Sequence, residues 1–137
     1  MTLDHASIQR FLATKEVALL ATVQPDGAPL AMPMWFLHSP ASLTMISVEG
    51  LQKVRNLRRD PRVCVVAEAG GGGADIRGVT VNGRAEFLGD GADRRARVER
   101  FHEKYPRLSA LWGGRAMPAN RVMFKIVPER IKSWGLG

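Results

Sequence analysis

The segment Val17-Ala18-Leu19-Leu20-Ala21-Thr22-Val23-Gln24-Pro25-Asp26-Gly27-Ala28-Pro29-Leu30-Ala31-Met32-Pro33-Met34-Trp35-Phe36-Leu37 decides the fold class. Val17 to Val23 reads as a strand, and Pro25-Asp26-Gly27 is a tight turn of the kind that closes a hairpin. Pro29 to Leu37 is the return strand. Pro33 within it lacks a backbone donor, which places this strand at an edge or a bulge and predicts a gap in the pairing there. After the Ser39-Pro40 turn, Leu43 to Val48 reads as a third strand. Three strands with no helix between them disfavour a doubly wound parallel sheet.

Upstream, Asp4 to Lys15 places Ile8, Phe11 and Leu12 at helical spacing behind Asp4 as N-cap. Downstream, Leu51 to Asp60 reads as a short helix stopped before Pro61. Arg62 to Ala69 and Arg77 to Leu88 read as strands joined by the glycines 70–73, which lack the Lys-Ser or Lys-Thr of a phosphate loop. Ala92 to Tyr105 reads as a helix, 106–120 as irregular, and Arg121 to Val127 and Ile131 to Trp134 as two closing strands. The pattern predicts a mainly β protein of six or seven strands, a closed or nearly closed antiparallel barrel with short helices in one domain, residues 1–137.

Composition bounds the function. The chain has 137 residues and 45% hydrophobic content, enough for one core and against intrinsic disorder. The apolar run Val17 to Ala21 is far too short to cross a bilayer, no secretory signal is recognisable, and Cys64 has no partner for an internal disulfide. Cytoplasm is the expected compartment. A net charge of +7 favours anionic partners, and Lys53, Arg55, Arg58, Arg59 and Arg62 cluster against the single acid Asp60. Specific nucleic-acid binding is not expected, because aromatics are 7% and no helix-turn-helix, RNP or zinc-finger spacing occurs.

His5, His38 and His102 are isolated and no HExxH or paired-cysteine spacing occurs, so no metal site is expected. The informative stretch is Ser47-Val48-Glu49-Gly50-Leu51-Gln52-Lys53-Val54-Arg55-Asn56-Leu57. A strand ends at a hydroxyl, Gly50 turns the chain, and a helix opens with a lysine in its first turn, which suits a phosphate. At about 100° per residue Lys53 and Asn56 share a face, Arg55 points away, and Leu51, Val54 and Leu57 form the apolar stripe. The same spacing also describes a plain basic surface helix, and spacing alone leaves both readings open.

Taken in order, the first helix, Val17 to Val23, Pro25-Asp26-Gly27, Pro33-Met34-Trp35-Phe36, the run from Lys53 to Arg62, and Val81-Asn82-Gly83-Arg84-Ala85-Glu86 resemble the pyridoxamine-phosphate-oxidase-like split-barrel flavoproteins, most closely their flavin and deazaflavin oxidoreductase branch. The resemblance runs from about Ala6 to Trp134 and lies in the order and spacing of the motifs. It implies a six-stranded antiparallel split barrel of the FMN-binding type, a homodimer with the cofactor between subunits, and hydride transfer to or from a small organic substrate. Lys53, Asn56 and Ser47 would hold the cofactor phosphate, and the backbone of Met32, Pro33 and Met34 would lie along the flavin ring. Trp35 would pack in the core or interface or stack on the cofactor. Trp134 would plug the barrel or reach the partner's site. The substrate-binding C-terminal arginine motif of pyridoxamine phosphate oxidation is not recognisable, so that substrate is not expected. The cofactor is FMN or the deazaflavin coenzyme F-420, and no catalytic residue is assigned. The alternative is a non-catalytic flavin- or haem-binding carrier, with His38 as the candidate axial ligand.

Overall fold

The computed structural model describes residues 2–137, and Met1, part of the expected domain, lies outside the described residues. The first helix, α1 (Ala6–Ala13), buries Ile8, Phe11 and Leu12 as its spacing predicts. Its N-cap is His5 rather than Asp4: the imidazole accepts from the Ser7 N–H, while the Asp4 carboxylate takes the Thr2 hydroxyl. Both Asp and His carry an acceptor at short reach, and the one adjoining the first helical residue does the capping.

Strands β1 (Val17–Val23) and β2 (Pro29–Trp35) form the expected hairpin, paired from Val17 with Trp35 to Val23 with Pro29. The remaining elements are β3 (Leu37–His38), β4 (Leu43–Val48), α2 (Gln52–Arg59), β5 (Arg62–Ala69), β6 (Arg77–Leu88), α3 (Ala92–Lys104), α4 (Leu108–Trp112) and β7 (Arg121–Trp134). The sheet is antiparallel, in the order β2-β1-β5-β6-β7-β4-β3. Its two ends, β2 and β3, are consecutive in the chain. Residues 29–38 therefore act as one bent strand that leaves the β1 edge and reaches β4, curling the sheet into a split barrel. Counted this way the strands number six, as expected.

Phe36 is the pivot of that bend and is fully buried. A buried backbone outside any ladder needs partners, and α3 supplies them. The Phe36 N–H donates to Tyr105 Oη at 2.8 Å, Lys104 Nζ donates to the Phe36 carbonyl at 2.7 Å, and the Tyr105 hydroxyl lies 2.8 Å from the Glu16 carbonyl that accepts from it. The Lys104 ammonium also sits 3.8 Å from the Phe36 ring centroid.

Two further expectations change. The closing strands are one, because a bulge between Asn82 and Gly83 carries β7 past Pro128. Gly83 permits it, since a Cβ there would stand 2.1 Å from the Val127 carbonyl oxygen. The stretch 106–120 is not wholly irregular: it contains α4, closed by Gly113 in the left-handed region. The main core fills the barrel with side chains such as Leu20, Phe36, Met45, Val65, Val81 and Phe124 under α1. A second cluster lies between α3, α4 and the outward side of the sheet, around Leu37, Phe101, Tyr105 and Met123. Among the described residues no helix is long and apolar enough to cross a membrane.

Candidate functional site

Helix α2 positions the candidate anion anchor. At about 100° per residue, the buried residues Asn56, Leu57 and Val54 bracket an arc facing the barrel, and Lys53 falls inside that arc. Arg55 lies on the far side and is exposed. Leu51, expected in the apolar stripe, is the N-cap and is exposed instead, at the point where the chain enters the helix.

Lys53 is half-buried, and burial pulls its pKa below the usual lysine value. Its Nζ lies 3.1 Å from the Met34 sulfur, and among the described residues no carboxylate pairs with it. An ammonium withdrawn from water and left beside a thioether is short of a counter-charge. No side chain caps α2, so its first N–H groups are also open to an anion.

The remaining predicted residues sort by strand face. On β2, Met32 and Met34 lie opposite the buried Leu20 and Ala18, so both point inward. Met34 is buried, yet Met32 is 37% exposed, which marks the barrel as open along the unpaired edge of β2. Pro33 points outward opposite Leu19. The β1 ladder runs through it without interruption, so the expected gap is this free outer edge and not a break in the hairpin. Ser47 is buried on β4 in line with Leu43 and Met45, facing the barrel interior. The structure thus brings Lys53 into contact with Met34 and sets Met32 and Ser47 on the inward surface.

Asn56 is turned elsewhere. It is fully buried, with Nδ2 donating to Thr22 Oγ1 at 3.0 Å and Oδ1 accepting from Gln52 Nε2 at 2.7 Å. Its amide ties α2 to β1. Thr22 was the missed partner, and a polar residue at an inward position of β1 was the available signal.

Much of the basic cluster is spent locally. Arg58 pairs with Glu49 at 2.5 Å and covers the Phe87 ring, and Arg62 pairs with Asp60 at 2.6 Å. The Arg62 guanidinium holds the Asp60 carboxyl down to about 2. Arg59 donates to the Val23 carbonyl, and Arg55 to the Gly50 carbonyl and the Gln52 side chain. Trp35 stacks on Tyr105 at 4.2 Å, and the Trp134 ring lies against Gly78, where a Cβ would approach it to 2.7 Å. His38 is half-buried with Nδ1 3.0 Å from Gln9 Oε1, and burial together with Lys104 and Arg100 lowers its pKa. Among the described residues no cluster of three or more His, Cys, Asp or Glu could hold a metal.

A half-open antiparallel barrel with a lysine at its seam can be compared with known proteins. The family model for pyridoxamine 5'-phosphate oxidase matches residues 5–135. This chain belongs to the pyridoxamine-phosphate-oxidase-like split-barrel family. Among solved structures, a conserved hypothetical protein from Mycobacterium tuberculosis is 30% identical, with a TM-score of 0.80, covering 95% of this chain and 83% of its own. An FAD-binding protein from Mesorhizobium loti is 26% identical, with a TM-score of 0.74 and coverage of 91% and 87%. A haem storage protein from Vibrio cholerae shares the fold at a TM-score of 0.81 over 100% and 98% of the two chains, at 17% identity. No curated protein matches this chain significantly. These matches show the family and do not distinguish its branches.

Proposed function

We propose that this protein is a homodimeric split-barrel oxidoreductase that binds FMN, with Lys53 holding the cofactor phosphate and the Met32 to Met34 edge of β2 running along the flavin ring. Lys53 carries this reading: a half-buried ammonium without a carboxylate, beside an uncapped helix start and an unpaired strand edge. Bound flavin supplies hydride or electron transfer with a small organic substrate, while this chain binds and orients the cofactor and shields it from water. The backbone of the β2 edge offers polar groups to the ring, and the Met34 side chain packs beneath the ammonium.

FMN is favoured over coenzyme F-420 on charge. A polyanionic tail asks for several free cations, and Arg58 and Arg62 are already paired with Glu49 and Asp60. One unspent, desolvated lysine suits one phosphate. The homodimer rests on the outward face of β1, where Val17 and Leu19 are 41% and 43% exposed beside the outward Pro33, Cys64 and Val66. An apolar strip of that kind fits a second copy of the sheet.

Titration with FMN tests the assignment. Lys53→Met keeps the stem and removes the charge, and is expected to weaken binding by about 1.5–3 kcal/mol, roughly ten- to a hundred-fold. Arg55→Met, on the opposite side of α2, is expected to leave FMN affinity unchanged. Equal FMN affinity in the parent and Lys53→Met sinks the assignment, and a parallel titration with F-420 decides between the cofactors.

A further inference from the structure

Between α3, α4 and the outward side of the sheet lies a cavity of 310 Å³. Ile46, Phe101 and Leu108 wall it with Trp35 and Trp112, and Arg121 stands at the start of β7. Its side-chain chemistry is one-sided. The two indole N–H groups and the guanidinium are donors, and none of the lining side chains can accept. Neither indole N–H has a hydrogen-bond partner among the described residues, although both rings are held, Trp35 stacked on Tyr105 and Trp112 edge-on to His102 at 5.4 Å. The Arg121 guanidinium donates to the neutral Asn120 Oδ1, at 2.6 Å, and pairs with no carboxylate among the described residues.

Aromatic walls with donors alone select a ligand that is flat and apolar in its body and purely accepting at one end. An amine would set two cations against each other, and a hydroxyl proton would find no side-chain acceptor. We propose that this cavity binds a planar aromatic carboxylate of one or two fused rings, its carboxylate on Arg121. The cavity is distinct from the Lys53 seam, because Trp35 and Met34 are neighbours on a strand and face opposite sides of the sheet.

The test is calorimetric titration of the full chain with 2-naphthoate and, separately, with 2-naphthylmethylamine. The carboxylate is expected to bind saturably at one site per chain, and the amine not at all. Arg121→Gln is expected to weaken naphthoate about tenfold or more, while Arg121→Lys retains part of the affinity and Lys53→Met all of it. Absence of saturable binding, equal affinity for acid and amine, or binding unchanged in Arg121→Gln overturns the proposal. Loss of binding in Lys53→Met overturns it too, by moving the ligand to the flavin seam. Leu111, 68% exposed on the cavity's outer flank, provides a second check. Leu111→Glu is expected to leave the mass in light scattering unchanged, and a fall in mass would assign the groove to an interface between copies instead.

Discussion

Replacing Asn56 by alanine separates a structural amide from a cofactor ligand. The amide is fully buried and makes two hydrogen bonds, to Thr22 Oγ1 at 3.0 Å and from Gln52 Nε2 at 2.7 Å. Each bond contributes about 1 kcal/mol net, and the Thr22 hydroxyl, itself 1% exposed, loses its donor at a cost of about 1–3 kcal/mol. These terms overlap, so Asn56→Ala is expected to lower the unfolding free energy by about 2–4 kcal/mol. Thr22→Val keeps the shape and strands the Asn56 N–H instead, costing about 1–3 kcal/mol. The double variant should cost less than the sum of the singles by at least about 1 kcal/mol, since both delete the same contact. Urea unfolding at one fixed protein concentration reads all three, the fixed concentration holding any contribution from dimer dissociation constant across the variants. FMN affinity of the folded Asn56→Ala variant should equal that of the parent. Lost FMN affinity, with stability within about 0.5 kcal/mol of the parent, would place Asn56 in the cofactor site and refute the reasoning.

Three further outcomes follow from the structure. Burial pushes Lys104 down from 10.5 to about 8 and Tyr105 up from 10.0 to about 12. Between pH 8 and 10 the unfolded chain therefore holds more protons at Lys104 than the native one and stability rises with pH, whereas above pH 10 native Tyr105 keeps a proton the unfolded chain loses and stability falls. Urea midpoints across that range should peak near pH 10, and Lys104→Met should flatten the rising limb. A steady decline from pH 8 upward contradicts the assignment. Leu19→Glu, on the outward face of β1, should convert a dimer to a monomer in light scattering with the circular dichroism unchanged, and a parent protein monomeric at micromolar concentration removes the interface. If haem binds at the neutral His38, His38→Ala should shift the Soret band of the complex, and an unshifted band excludes that ligand.

The barrel was legible in the sequence because its hairpins are local: Pro25-Asp26-Gly27 turns the chain between two largely apolar runs and so specifies neighbours in the chain. What closes the barrel was not. The bend at Phe36 depends on Lys104 and Tyr105, nearly seventy residues away, and nothing in the 29–38 segment names them. The same holds for β7, where Pro128 reads locally as a break, and only the facing Gly83 makes it a bulge. At the site, the helical wheel located Lys53 correctly relative to Asn56 and Arg55 but could not say which side of the wheel the barrel covers. Burial of Asn56 beside Leu57 and Val54 answers that, and it puts Lys53 toward the barrel while spending Asn56 on packing.

Charge density was the misleading guide, and desolvation is the better one. By composition the richest anion surface is the run from Lys53 to Arg62, with five cations. Arg58 and Arg62 are exposed and ion-paired, and an exposed pair contributes little and offers little to a ligand. Lys53 differs in kind. Its half-buried ammonium has already lost part of its water on folding, which lowers its pKa, and a sulfur is a poor replacement. A phosphate arriving there restores the missing counter-charge without first breaking a salt bridge, so the Coulombic attraction is screened less at the half-buried seam than at Arg58. Lys53→Met should consequently leave apoprotein stability unchanged or slightly higher, because it removes a desolvated charge, while FMN affinity falls. A lysine that merely packed against Met34 would show the reverse: lower stability and unchanged affinity.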